Sequence, residues 1–131
     1  KVYKMPVLMA FYNHGNVRMK VSEAELLASW KEFFSTGTNW KDLEKEITYE
    51  EYRKVSDKNH IQKIMKMPVH FLLKSGEEFF VKKDGAALAL RDEMEEIVKE
   101  PVLAEQMKDV IEYRAMDYYR RRYKEKIKAL L

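Results

Sequence analysis

Histidines, hydroxyls, carboxylates and clustered cations are the side chains of this 131-residue chain that could do chemistry, and most are explained without a reaction. The three histidines are the first candidates, because imidazole is the most frequent acid, base and metal ligand. His14 falls in a turn sequence, His60 on a polar helix face and His70 on an amphipathic helix, where a satisfied, half-buried ring is expected. Their spacing matches no metal-ligand motif such as HExxH. Serines occur at positions 22, 29, 35, 56 and 75, none within a nucleophile-elbow sequence, and Ser22 and Ser56 read as helix caps. No GxxxxGK[ST] loop is present, and none of the four glycines belongs to a phosphate cradle. Glu93, Glu95 and Glu96 open a helix, where the dipole favours acids without any metal. With no cysteine there is no thiol nucleophile, disulfide or zinc-thiolate site. The expectation is a chain with no catalytic residue, no metal and no cofactor.

Cations interleaved with tyrosine are the remaining constellation: Tyr118-Tyr119-Arg120-Arg121-Arg122-Tyr123-Lys124, then Lys126 and Lys128. Guanidinium groups bind phosphate bidentately and tyrosines stack on bases, so Arg120, Arg121, Arg122 and Lys124 are candidate nucleic-acid contacts. Helix C-termini also collect basic residues because of the macrodipole, so structural or interdomain pairing remains open for the same residues. Arg114 lies within an apolar stripe and shares a helix face or local network with Asp117 three residues on; both are expected to be structural.

The elements that would position these groups follow from periodicity and punctuation. Pro101 to Leu131 contains no glycine and only its opening proline, and predicts one long helix around which the rest is organised. Leu103, Met107, Val110, Ile111 and Tyr118 mark a face to be buried. Val102, Tyr113, Met116, Tyr123 and Ile127 mark a second, which is either covered or offered to a partner. Upstream, Lys4 to Tyr12 is apolar, a strand or an opening helix, with Pro6 favouring the helix. Val17 to Val21 alternates like a half-buried strand. Ser22 and Glu25 form a capping box before a helix that runs to about Ser35. STGTNW, 35–40, is the most loop-like segment. Thr48 with Glu51, and Ser56, cap further helices; Pro68 is expected to interrupt the second, and Ser75-Gly76 to stop the turns that follow. Glu78 to Val81 and Ala86 to Leu90 flank Asp84-Gly85 as a β-hairpin, and 91–99 is a short acidic helix.

This is a mainly α fold with a small β component. Its order of opening helix, short strand, helix, helix and hairpin is that of a winged-helix-like core, followed by the long C-terminal helix. In that architecture the helix before the hairpin docks in a DNA major groove and the hairpin tip touches phosphate. Exposed Lys58, Asn59, Gln62, Lys63 and Lys66 would lie on that helix, and Lys82 and Lys83 at the tip. Lys63, Lys66, Lys82 and Lys83 thus join the candidate contacts.

Length and composition bound the reading. The 131 residues suit a single domain spanning 1–131, and 46% hydrophobic with 36% charged residues describes a folded chain. Opening on Lys1, it is expected to be a fragment of a larger protein. No apolar run suits a membrane span, which points to a soluble, cytoplasmic domain. The net charge of +3 does not by itself argue nucleic-acid binding. Its distribution says more, with seven Lys or Arg against three acids between Glu112 and Leu131.

Several segments together carry a resemblance: Pro6-Val7-Leu8-Met9-Ala10-Phe11 with Gly15-Asn16, then Phe33-Phe34, Pro68-Val69-His70-Phe71-Leu72 and Phe79-Phe80. They continue in Ile111-Glu112-Tyr113-Arg114 and Asp117-Tyr118-Tyr119-Arg120-Arg121-Arg122-Tyr123. The chain resembles the C-terminal region of bacterial DEAD/DEAH-box (superfamily 2) helicase-like proteins, some of them thought to serve restriction or phage defence. The resemblance spans nearly the whole chain through patterns of packing and charge rather than catalytic signatures. It implies a non-catalytic accessory domain that helps engage DNA or position a motor, with DNA and the other domains of the parent helicase as partners. The nucleotide-binding loop and acidic box of such helicases are absent here, so no ATPase residue carries over. The alternative is a protein-interaction or dimerisation module that uses the long helix.

Overall fold

The apolar run at the start folds as helix α1 (Lys4–Phe11), with Pro6 in its first turn, where a missing N–H costs nothing. The computed structural model describes residues 3–13, 15–43 and 47–130, with backbone alone at position 13 and at part of the last helix from Ile111 onward. His14 lies outside the described residues. The predicted strand over Val17–Val21 divides in two. β1 (Tyr12–Asn13) pairs antiparallel with β2 (Asn16–Val17), while β3 (Lys20–Val21) joins a different sheet. Helix α2 (Glu23–Ser35) opens on the expected capping box: the Glu25 N–H donates to Ser22 Oγ at 3.1 Å, and the Ser22 N–H donates to Glu25 Oε1 at 3.0 Å. The Ser22 N–H is the main cause that holds the Glu25 carboxyl below its ordinary range.

STGTNW is less loop-like than expected. Residues Asn39–Asp42 form a 3-10 turn in which Asn39 is buried and its Nδ2 donates to the Phe33 carbonyl at 2.8 Å. Trp40 is buried against Tyr49 and Tyr52. Thr48 and Ser56 cap α3 (Tyr49–Arg53) and α4 (Asp57–Ile64), each accepting from the backbone N–H three residues on. Pro68 does not interrupt the helix as predicted. The chain continues through a π segment (Met65–Val69) into α5 (His70–Ser75), because a widened turn relieves the ring's clash with the preceding turn. Gly76 ends this run: a Cβ there would lie 2.8 Å from the Leu72 carbonyl oxygen.

The hairpin forms with shorter strands, β4 (Phe80–Val81) and β5 (Leu88–Leu90), paired Phe80 to Leu90 and Val81 to Ala89. Gly85 supplies the positive φ of its loop. β3 pairs with β5, giving a three-stranded antiparallel sheet in the order β3-β5-β4. A 3-10 turn (Asp92–Met94) and α6 (Glu95–Val98) precede α7 (Pro101–Leu130). The molecule is therefore mainly helical with a small antiparallel sheet, as expected, but three short strands rather than one separate α1 from α2.

Among the described residues the core is not centred on α7, where the side chains of Ile111 and Tyr118 lie outside the described ones. Its centre is the seam between α1 and α2, where Phe11, Leu26, Trp30 and Phe34 are almost fully buried with Leu88 of β5. Trp30 and Phe34 lie 4.6 Å apart between ring centroids, and Ser29 Oγ donates to the Pro6 carbonyl at 2.5 Å, tying the two helices. α7 contributes Ala104, with Leu103 and Met107 packed at the margin. Val110, expected to be buried, is 51% exposed, and α7 meets α1, α6 and the β1–β2 hairpin.

Candidate nucleic-acid interface

The run α4, π segment and α5 presents outward Lys58, Gln62, Lys66, His70 and Lys74, each four residues from the last. Asn59, Met67 and Phe71 flank this row and are also exposed. The inward face holds His60, Ile64, Pro68, Val69 and Leu72. The pattern follows from the Ser56 cap, which fixes where the helix begins, and from the uninterrupted turns through Pro68. His70 is exposed rather than half-buried, since it lies on the outer row. His60 was expected on a polar face and is only 4% exposed. Its Nδ1 accepts from Trp30 Nε1–H at 3.2 Å, and Tyr52 packs edge-on against it. Burial, helped by the positive charge of Lys31, pushes the imidazole below its ordinary pKa. No local pattern marks this histidine, because its partner is thirty residues away on α2.

The candidate cations divide between those available to a ligand and those already engaged. Lys66 is exposed. Lys63 belongs to the scaffold instead: its Nζ donates to the Leu43 carbonyl at 2.8 Å and lies 5.5 Å from the centre of the Tyr3 ring. Lys82 is exposed, and its hairpin loop lines one shallow hollow together with Ser22, Glu23 and Met65, so the loop sits beside the helix that carries Lys66. Lys83 is half-buried and engages Asp92 in an ion pair, which removes it from the free loop tip. Arg120 and Arg121 are exposed on α7, and each places Nη2 2.8 Å from an oxygen of Asp117. Those hydrogen bonds, Arg120's foremost, hold the Asp117 carboxyl below its ordinary range. The described partners of Asp117 are these two arginines one turn downstream. Lys124 is exposed, whereas the side chains of Arg114 and Arg122 lie outside the described residues.

Beside the row opens a cleft of ≈ 440 Å³ between α4 and the segment before α3, with Tyr52, Asn59, His60, Gln62 and Lys66 among its walls. Among the described residues its lining has no nucleophile–base pair of the kind that nucleophilic catalysis needs. Among the described residues no group of three or more His, Asp or Glu is placed to hold a metal ion, and no helix is long and apolar enough to cross a membrane. No family model, curated protein or solved structure matches the chain.

Proposed function

We propose that the chain is a non-catalytic accessory domain that engages DNA through the outward row of α4, the π segment and α5, with Lys82 of the hairpin loop as a flanking phosphate contact. The observation that carries this reading is the row itself: three lysines, a glutamine and a histidine, exposed at one-turn intervals on the helix that precedes the hairpin. Amide and ammonium groups so arranged can meet phosphates and base edges along a groove. The winged-helix-like element order supports the same orientation. The resemblance to helicase C-terminal regions supplies the setting, a cytoplasmic bacterial protein whose motor lies in other domains. In that setting the domain orients DNA toward the motor, and Arg120, Arg121 and Lys124 of α7 form a secondary cationic site.

Titration of duplex DNA at several salt concentrations tests the reading. Changing Lys58, Lys66 and Lys74 together to Gln is expected to weaken binding and to flatten the dependence of log affinity on log salt by about 2 to 3, near one per lost phosphate contact. Equal affinity and slope in the folded variant would remove the row as a DNA contact. The docking alternative is favoured by a separate observation, the exposed apolar residues on the outer side of α7.

A further inference from the structure

α7 has one face turned to the body of the molecule, through Leu103, Ala104 and Met107, and an opposite face whose described side chains are exposed. On that outer face Val102, Asp109, Tyr113, Met116, Arg120 and Lys124 follow one another at intervals of seven, four, three, four and four residues. Glu105 stands one turn before Asp109. Tyr113 and Met116 are 71% and 72% exposed, unusual for two large apolar side chains one turn apart near the middle of a helix. Charge divides at the same point. The described side chains of the first half carry Glu105, Asp109 and Glu112 against Lys108, and those of the second carry Arg120, Arg121, Lys124 and Lys128 against Asp117.

We infer that the outer face of α7 binds a second copy of this chain, helix against helix and antiparallel. A two-fold axis between positions 114 and 115 sets position 105 opposite 124, 109 opposite 120 and 113 opposite 116. Glu105 then meets Lys124 of the partner subunit, Asp109 meets the partner's Arg120, and Tyr113 packs on the partner's Met116. Symmetry repeats each contact, which gives four ion pairs around a central apolar layer. One register satisfies charge and apolar positions together, and this selects the occupant. A parallel pairing would set Glu105 on Glu105 and Arg120 on Arg120, like charge on like. Arg120 keeps its bond to Asp117 through Nη2 and has further guanidinium donors for the partner's carboxylate. At 30 residues α7 is about 45 Å long, enough for several layers on each side of the axis. The dimer leaves the outward row of α4 and α5 free, but it engages Arg120 and Lys124, so on α7 it competes with the secondary cationic site.

Sedimentation of the 131-residue chain across a wide concentration range tests it. Wild type is expected to form dimers as concentration rises, and Tyr113→Glu with Met116→Glu to stay monomeric at unchanged melting temperature. Two charge-reversed chains give the sharper result. Glu105→Lys with Asp109→Lys, and separately Arg120→Glu with Lys124→Glu, should each self-associate about tenfold more weakly or less. Mixed in equal amounts, the two should dimerise again, since every reversed residue then faces its opposite charge. Wild type that stays monomeric throughout would overturn the inference and leave the face to a different protein. Reversed chains that dimerise as wild type does, or a mixture that fails to recover, would overturn the antiparallel register.

Discussion

His60 shows how one side chain ties local sequence to the whole core. With Nδ1 accepting from Trp30, the neutral ring carries its proton on Nε2, and a second proton would have to displace the tryptophan N–H. Lys31 and Lys63 oppose that proton and Asp57 favours it, but burial dominates, so the folded pKa lies below the ordinary value of about 6.5. The unfolded chain therefore binds more protons in this window. Stability from this group is full above about pH 6.5 and declines as pH falls from there through the lowered folded value. Urea melts of wild type at pH 5 and 7.5 should show the loss, and His60→Phe should show less of it. At pH 7.5 that variant should be less stable by about 1 to 3 kcal/mol, because the buried Trp30 N–H loses its acceptor. Asp117 gives a second test at this scale. It neutralises Arg120 and Arg121, so Asp117→Asn is expected to strengthen binding of polyanions and to steepen its salt dependence in the same titrations.

Helix ends and turns in this chain are set by short-range chemistry. Ser22→Ala removes the hydroxyl that accepts the Glu25 N–H and should cost about 1 kcal/mol in chemical denaturation. Gly76→Ala should cost more, roughly 1 to 3 kcal/mol, because its Cβ meets the Leu72 carbonyl oxygen and the Phe80 ring, and backbone cannot yield as a side chain can. Local chemistry did not decide everything between those ends. Pro68 ordinarily breaks a helix, yet here Ile64, Val69 and Leu72 bury the residues on both sides of it, and a π turn absorbs the ring. The result is a longer outward row than Lys58 to Lys66, and it brings His70 and Lys74 into the candidate interface.

Across the whole molecule, stability and association are carried by different parts. Phe34→Ala opens the centre of the core beside Trp30 and Phe33 and should cost about 3 to 5 kcal/mol. Met116→Ala on the outer face of α7 should alter monomer stability by no more than about 0.5 kcal/mol while weakening self-association. Calorimetry at low concentration beside sedimentation at high concentration separates the two effects.

Caps, turns and helical periods were legible in the sequence because each depends on residues a few positions apart. Ser22 with Glu25, Ser56 before α4, Gly85 in the hairpin loop and the extent of α7 are all of this kind. The mainly helical fold with its small sheet followed from their order. Which apolar face became the core did not, because both stripes of α7 have the right period, and only packing sets Leu103 and Met107 against the core and leaves Val102, Tyr113 and Met116 exposed. The same limit governs the candidate site. Lysine reads as an exposed cation in sequence, but Lys63 reaches the Leu43 carbonyl twenty residues back and Lys83 reaches Asp92 across the hairpin. A charge's free or engaged state depends on partners that only the packed chain brings within hydrogen-bond reach.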